Sequence, residues 1–268
     1  MLNSKINANP NEFNTLLRTR VIPCLLLKNR GFYKTVRFRN PSYLGDPINI
    51  LKIFNEKEVD EILILDIGAT ASQQSLDYNF LRDFASECFM PLGYGGGIQN
   101  LEQIKTLFNL GFEKVSINSA SYSDPDVVSM AADRFGSQSI VVSIDAKKNI
   151  WGQYEVYTRS GTRKTGRHPG EFAQEMEKRG AGEILINSIN RDGAMIGFDL
   201  KLIKIVTSAV KIPVIACGGA GNIDHLAEAV HQGGANAVAA GSMFVYQGPH
   251  KAVLINFPKM ETIEKIMK

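Results

Sequence analysis

Three aspartates stand where a general acid or base could work. Asp66, Asp145 and Asp192 each end an apolar run or lie just beyond one, in "EILILDIGA", "VVSIDAKK" and "NRDGA". A carboxylate in a half-buried site has a raised pKa, which suits it to proton transfer near neutral pH. For each aspartate taken singly, capping a helix or bracing a loop is the alternative role.

Glycine-rich turns form a second group of candidates. Gly95-Gly96-Gly97 follow one apolar run and Gly218-Gly219 follow another, and each turn precedes a helix-like segment. Glycine lets the backbone approach an anion closely, and the N–H groups at a helix N-terminus supply donors. We therefore predict two phosphate-binding turns, with simple tight turns as the alternative. The predicted phosphate-binding residues are Gly96, Gly97, Asn118, Ser119, Gly218, Gly219, Gly241 and Ser242.

Short apolar runs alternate with helix-like segments along nearly the whole chain. This alternation favours parallel strands closed into a single (βα)8 TIM barrel, with a doubly wound sheet as the alternative. In such a barrel the functional residues lie at the C-terminal ends of the strands. The predicted strands are Val21–Leu27, Glu61–Asp66, Met90–Leu92, Lys114–Ile117, Ile140–Asp145, Glu183–Asn187, Val214–Ala216 and Ala237–Ala240. The predicted helices are Ile48–Lys57, Asn79–Glu87, Leu101–Asn109, Pro125–Arg134, Gly170–Lys178, Leu200–Val210 and Asn222–His231.

The chain repeats itself, which weighs against the doubly wound sheet. "EILILDIGA" matches "EILINSINR" and "PLGYGGGIQN" matches "PVIACGGAGN" at one constant offset. A long constant offset with matching motifs indicates an internal twofold repeat of (βα)4 halves. The expected organisation is an N-terminal extension over residues 1–17, then half-barrels at about 18–138 and 139–268. At its own offset of 119 residues, the first strand places Leu26 on Asp145, and leucine cannot transfer a proton.

Composition excludes several classes of protein. A formal net charge of +3 over 268 residues gives no indication of a nucleic-acid or membrane-surface partner. The three cysteines show no CxxC spacing, so reduced core residues are expected, and neither a metal nor a cofactor is predicted. The first residues lack the pattern of a signal peptide, and no apolar run is long enough to span a membrane, so we expect a cytoplasmic protein.

Many motifs in order resemble one family. "RVIPCL", "DEILILDI", "GGGI", "KVSINSA", "IDAK", "RDG" and "IPVIACGGAG" are similar to the HisF family, the cyclase subunit of imidazole glycerol phosphate synthase. The resemblance runs from about Arg18 to the C-terminus. It implies a substrate with two phosphates bound across the barrel mouth. It also implies ammonia supplied by a HisH-type glutaminase at the N-terminal face, and a cyclase reaction that uses two aspartates.

The resemblance assigns roles residue by residue. The second family aspartate corresponds to Asp145, and the first corresponds to Leu26. A family lysine in the loop after strand one corresponds to Lys34, and a threonine near the end of strand six corresponds to Asn187. Asp192 is a further catalytic candidate. The family's ammonia gate, one Arg, one Lys and two Glu at the strand starts, corresponds to Arg20, Glu61, Lys114 and Glu183.

Two roles remain open for the gate, since ring salt bridges could simply plug the barrel bottom. A retained gate with Leu26 in the mouth favours a divergent HisF-like branch associated with surface-polysaccharide genes. In that branch the barrel passes ammonia to a separate sugar amidotransferase that builds an acetamidino group. The alternatives are an authentic cyclase in histidine biosynthesis, with Asp192 or Asp66 in place of the missing carboxylate, a related phosphosugar isomerase, and a binding scaffold without ammonia transfer. Lys34, Arg37 and Arg39 are expected in a basic loop that clamps a phosphate, docks an acidic partner or is simply solvated.

Overall fold

A computed structural model describes residues 18–69 and 76–267, so the predicted extension over residues 1–17 lies outside the described residues. The strands are β1 (Arg20–Lys28), β2 (Gly31–Val36), β3 (Arg39–Gly45), β4 (Ile62–Asp66), β5 (Leu92–Gly95), β6 (Lys114–Ile117), β7 (Ile140–Lys148), β8 (Tyr154–Thr158), β9 (Arg163–Lys164), β10 (Glu183–Ser188), β11 (Val214–Cys217), β12 (Ala237–Ala240), β13 (Tyr246–Gln247) and β14 (Ala252–Val253). The α-helices are α1 (Pro47–Glu56), α2 (Tyr78–Ser86), α3 (Leu101–Asn109), α4 (Ser119–Ser123), α5 (Asp126–Phe135), α6 (Pro169–Lys178), α7 (Leu200–Thr207), α8 (Ile223–His231), α9 (Ser242–Val245) and α10 (Met260–Met267).

Eight of these strands close into a parallel barrel. The order is β1, β4, β5, β6, β7, β10, β11 and β12, and β12 pairs back onto β1 with Ala237 beside Arg20. Helices follow the strands around the outside, as expected for parallel strands joined by crossovers. The TIM barrel predicted from the sequence is confirmed. Among the described helices, none combines the length and the apolar character needed to cross a lipid bilayer.

Barrel strands are buried on both faces, which explains their nearly continuous apolar sequences. Successive side chains alternate between the barrel interior and the helix layer. In β1, Ile22 and Cys24 belong to the interior cluster, whereas Val21 and Leu25 pack towards the helices. The interior cluster comprises Ile22, Cys24, Leu63, Val141, Leu185, Ile215, Cys217, Ala237 and Ala239.

Two sequence predictions about strands are wrong. The third barrel strand is Leu92–Gly95 rather than Met90–Leu92, because its sequence "LGYG" is half glycine and lacks the usual strand composition. Lys34 does not lie in a solvated loop, since it belongs to strand β2 and is only 6% exposed. Arg37 and Phe38 form the tip between β2 and β3, where both have positive φ. The β2–β3 hairpin after β1 and the β8–β9 hairpin after β7 were not predicted.

Strand registers relate the two halves of the barrel. Leu26 pairs with Leu65 on β4, and Asp145 pairs with Asn187 on β10. On the other side of each strand, Val21 on β1 pairs with Val238 on β12, and Ile140 on β7 pairs with Val115 on β6, which are equivalent pairs when the two halves are aligned. Leu26 and Asp145 therefore occupy equivalent places, each on the first strand of its half. The position of the boundary between the halves, near residue 138, stays a prediction.

The cap of α7 gives a test of this packing. The Asp199 carboxylate accepts hydrogen bonds from Leu202 N (3.3 Å) and from the buried Tyr154 hydroxyl (2.7 Å). Asp199→Ala should cost about 2–4 kcal/mol of unfolding free energy, because the cap is lost and the hydroxyl keeps no partner. Asn100→Ala, at an exposed cap with one bond to Gln103 N, should cost about 1 kcal/mol. If urea unfolding gives the same loss of unfolding free energy for Asp199→Ala and Asn100→Ala, the hydrogen bond from Tyr154 contributes nothing to stability.

Candidate functional site

A cavity of about 890 Å³ opens at the C-terminal ends of the barrel strands. The barrel therefore brings together at one mouth residues from both halves that are far apart in sequence. The sequence-predicted residues that line this cavity are Leu26, Lys34, Asp66, Gly96, Gly97, Asn118, Ser119, Asp145, Asn187, Asp192, Gly218, Gly219, Gly241 and Ser242. The four candidate gate residues lie at the opposite end of the barrel, where the strands begin.

Asp145 is the carboxylate best placed for proton transfer in this mouth. Burial, with a smaller contribution from the neighbouring Asp192, raises its pKa to about 7, although hydrogen bonds from Asn187 and Asn118 act in the opposite direction. The Asn118 amide Nδ2 donates to Asp145 Oδ2 at 3.2 Å. Both protonation states of Asp145 are therefore populated near neutral pH.

Asp192 braces the β2–β3 hairpin as well as lining the mouth. Its carboxylate accepts from the Thr35 hydroxyl (3.2 Å) and from the backbone N–H of Phe38, and its carbonyl accepts from Arg37 N (2.8 Å). Burial raises the pKa of Asp192, and the Lys34 charge lowers it. At Gly193, φ is +66° and a Cβ would overlap the Thr35 carbonyl, so only glycine fits this crossing.

The Asp66 carboxylate is hydrogen-bonded mainly within its own turn. One carboxylate oxygen accepts from Gly68 N (2.8 Å) and Ala69 N (3.0 Å), and the other accepts from the Tyr94 hydroxyl (3.4 Å). Burial raises the pKa of Asp66, and these three bonds oppose the shift. The loop-bracing alternative accounts for these contacts of Asp66.

The glycine turns are required by close backbone packing. Gly96 and Gly218 have φ of +110° and +86°. A Cβ at Gly96 would overlap the Asp66 carbonyl, and one at Gly218 would overlap the Asn187 side chain. The tight-turn alternative explains both glycines in structural terms. Phosphate binding at these turns stays a prediction.

A closed ring of four charged side chains fills the bottom of the barrel. Arg20 pairs with Glu61 at 2.5 Å and with Glu183 at 2.6 Å, and Lys114 lies 3.1 Å from each of the same two glutamates. Burial alone would lower the pKa of Arg20, but the two carboxylates raise it. Alternating charges leave no member of the ring without an opposite neighbour, which burial of four charges requires.

An apolar layer separates this ring from the mouth. Counting by two along β1, the inward residues are Arg20, Ile22, Cys24 and Leu26, from the ring to the mouth. Leu63 on β4 lies level with Cys24, and Leu185 on β10 belongs to the same apolar layer. The interior is therefore charged at the bottom, apolar in the middle and polar at the top, along a single line through the barrel.

Sequence reasoning missed part of the floor of the mouth. Ser116 and Ser143 are buried and line the cavity. Each lies two residues further along its strand than the level of the ion-pair ring. The Ser116 hydroxyl and the Asn187 amide oxygen are buried and have no hydrogen-bond partner among the described residues. Counting by two along β6 from Lys114 would have identified Ser116.

The closed barrel and its mouth define the class of protein as a TIM-barrel member of the α/β proteins. A model of the family described as "Histidine biosynthesis protein" matches residues 20–251. The chain belongs to the HisF family of histidine biosynthesis proteins.

Relatives in three bacteria align over nearly their whole length. A protein of Pseudomonas aeruginosa named "Putative imidazole glycerol phosphate synthase subunit hisF2" is 51% identical over 93% of this chain and 99% of its own. A Leptospira borgpetersenii protein named "Putative imidazole glycerol phosphate synthase subunit HisF" is 46% identical over 91% of this chain and 96% of its own. A Vibrio vulnificus protein named "Putative imidazole glycerol phosphate synthase subunit hisF3" is 44% identical over 94% and 98%.

Burial of Asp145 predicts a pH dependence of stability. Its folded pKa of about 7 lies above the ordinary value of 3.8, so the unfolded chain releases this proton first as pH rises. The Asp145 contribution should therefore decline between about pH 4 and pH 7, by up to about 4 kcal/mol. Urea unfolding of the wild type and Asp145→Asn at several pH values measures this difference. Asp133→Asn, at an exposed carboxylate, should leave the wild-type profile unchanged.

Proposed function

We propose that this chain receives ammonia from a HisH-type glutaminase at its N-terminal face and passes it through the barrel to the mouth. In this proposal, the ammonia is used by a separate sugar amidotransferase that forms an acetamidino group during surface-polysaccharide synthesis in the cytoplasm. The observation that carries it is Leu26, an apolar side chain at the place equivalent to Asp145. Of these two equivalent positions in the mouth, only Asp145 therefore carries a carboxylate that can transfer a proton.

The interior column supports transfer of a small neutral molecule. Ammonia would enter between Arg20, Glu61, Lys114 and Glu183, whose ion pairs would have to open for passage. The apolar layer beyond them would carry neutral ammonia in preference to ammonium, because burying an unpaired charge there is costly. At the top, the unpaired acceptors of Ser116 and Asn187 could hold ammonia as it leaves the apolar layer.

A cyclase of histidine biosynthesis is the second candidate. Asp145, with its pKa near 7, and the buried Lys34 favour it, since both line the same mouth. Asp192 would then replace the missing carboxylate, but its oxygens already hold the β2–β3 hairpin. Removing one member of an acid–base pair typically lowers the rate by about 10²- to 10⁴-fold.

Complex formation tests the ammonia proposal. The purified chain should bind the HisH-type glutaminase of the same organism and raise its glutamine hydrolysis by about tenfold. The exposed Glu113, beside Lys114, matches an acidic residue that contacts the glutaminase in the HisF family, and we propose the same contact here. A chain that neither binds nor activates the glutaminase would remove the basis of the proposal.

A variant of the gate distinguishes the passage of ammonia from the docking of the glutaminase. Lys114→Met leaves Glu61 and Glu183 with Arg20 as their single cation, so the stimulation should fall severalfold while the Kd of the complex changes little. Lys105→Met, on the exposed surface of α3, is the matched control and should change neither quantity. Unchanged stimulation in Lys114→Met would favour the scaffold reading, in which the ring only plugs the barrel.

Complementation distinguishes amidination from histidine synthesis. The chain should fail to restore normal growth of a histidine auxotroph that lacks its cyclase subunit, because Leu26 cannot transfer a proton. Leu26→Asp should restore growth partly at most, since Asn187 also stands where the family has a threonine. Deletion of the native gene should remove acetamidino sugars from the surface polysaccharide. Normal growth of the auxotroph with the unaltered chain would favour the cyclase.

A further inference from the structure

The hairpin between β7 and β8 presents two large apolar side chains to solvent. Ile150 is 92% exposed, and Trp151, the single tryptophan of the chain, is 81% exposed. Because β7 continues to Lys148, the hairpin turns about 10 Å beyond Asp145 in the mouth. Side chains this exposed contribute almost no hydrophobic stabilisation to the fold. The pair lies on the rim of the mouth, on the face where ammonia would leave the barrel.

A hydrogen-bonded turn holds these two side chains in place. The Asn149 side-chain oxygen accepts from Trp151 N (2.9 Å) and from Gln153 N (3.0 Å), and the Gln153 carbonyl accepts from Asn149 N (2.8 Å). Lys148 N donates to Asn190 Oδ1 (3.2 Å), which attaches the hairpin to the loop after β10. The turn is therefore ordered before any partner binds, so docking there would cost little conformational entropy.

Positive charge surrounds the same rim. The β2–β3 hairpin and residues 146–165 together hold eight basic residues and one acidic residue, whereas the whole chain has a net charge of only +3. The acidic residue, Glu155, is buried and paired with Lys164 at 3.0 Å. The Phe38 ring, at the tip of the β2–β3 hairpin, packs beside Gly161, so the two segments form one continuous rim. The exposed basic residues of this rim are Arg37, Arg39, Lys148, Arg159, Arg163 and Lys164.

These features define the chemistry of a partner. An apolar centre inside a charged surround is typical of protein–protein interfaces, where tryptophan often supplies much of the binding energy. A basic rim favours a partner whose docking face is acidic. Ammonia released into neutral water becomes ammonium, which cannot attack an electrophile. An acceptor enzyme in contact with the rim would exclude water and receive the ammonia before it is protonated.

We propose that the amidotransferase that accepts the ammonia docks on this rim. Its docking face has an apolar pocket for Ile150 and Trp151, inside an acidic surround that meets the basic residues of the two segments. This proposal rests on the proposed function, because the docked enzyme is the acceptor of the ammonia. The glutaminase and the acceptor occupy opposite ends of the barrel, so both bind at once.

Amidination assays separate docking from ammonia production. The assay contains the chain, its glutaminase and the amidotransferase whose deletion removes acetamidino sugars, all from the same organism. Ile150→Ser combined with Trp151→Ser should weaken binding of the amidotransferase by about 10- to 100-fold. At concentrations near the wild-type Kd, amidination from glutamine should fall accordingly. Amidination from added ammonium salt and glutamine hydrolysis by the glutaminase should both keep their wild-type rates.

Trp151 reports docking directly, because the chain has no other tryptophan. In the chain labelled with fluorotryptophan, the single fluorine NMR resonance should shift or broaden when the amidotransferase is added. The glutaminase alone should leave it unchanged, since that partner binds at the other end of the barrel. Surface plasmon resonance should show an affinity that falls with salt, and Arg163→Glu should lower the association rate severalfold.

Met130→Gln is the matched control, because Met130 is an exposed apolar residue on α5, in the outer helix layer. It should behave as the wild type in every measurement. If the wild-type chain supports no amidination from glutamine, the proposed function fails and the docking proposal fails with it. If the wild type and the Ile150/Trp151 double variant support it equally, the docking proposal alone is wrong.

Vesicles of phosphatidylglycerol provide the remaining comparison, since a basic rim with an exposed tryptophan could also meet an anionic membrane. The wild-type chain should bind them no better than the double variant does. Vesicle binding that the double variant abolishes, with unchanged affinity for the amidotransferase, would identify a membrane-binding surface and overturn the proposal.

Discussion

Two cations and two carboxylates pair with one another at the bottom of the barrel, and this pairing allows charge at the centre of the fold. Arg20 and Lys114 each contact both Glu61 and Glu183, so every charge has an opposite neighbour on either side. Removing water from four charges is unfavourable unless they compensate each other. Above the ring, the inward positions follow every second residue along each strand.

The pseudo-twofold barrel keeps one backbone and holds two sets of side chains. The registers of β1 and β7 agree on both sides, so Leu26 and Asp145 occupy equivalent backbone environments. The side chains at those two positions differ in chemistry, and so do the side chains beside them. Asp145 has the neutral Asn118 beside it, whereas Leu26 has the cationic Lys34 on its side of the mouth. The carboxylate and the cation are therefore separated between the two halves instead of being paired.

The sequence was sufficient for the architecture because the repeat and the alternation of elements are long-range signals. The sequence was less informative about local features, such as the bounds of a single strand or the hydrogen bonds of a single side chain. The strand Leu92–Gly95 has two glycines, which strand propensity disfavours, and hydrogen bonding within the barrel overrides that propensity. The Asp66, Asp145 and Asp192 candidates all reached the mouth, but which oxygens were already bonded depended on the turns around them. Such bonds require the folded backbone and leave no separate trace in composition or spacing.

Lys34 shows how a missed element changes the meaning of a residue. In a solvated loop its charge would be screened by water, and a basic cluster with Arg37 and Arg39 would have had little specific effect. The β2–β3 hairpin instead carries the side chain into the mouth, where Asp192 holds the hairpin in place through Thr35 and the tip backbone. The ammonium then fills the space beside Gly241, at 3.5 Å from the Cys24 carbonyl. Leu26 offers no carboxylate there, so the position that could have held a proton-transfer group also provides no ion-pair partner for the buried Lys34.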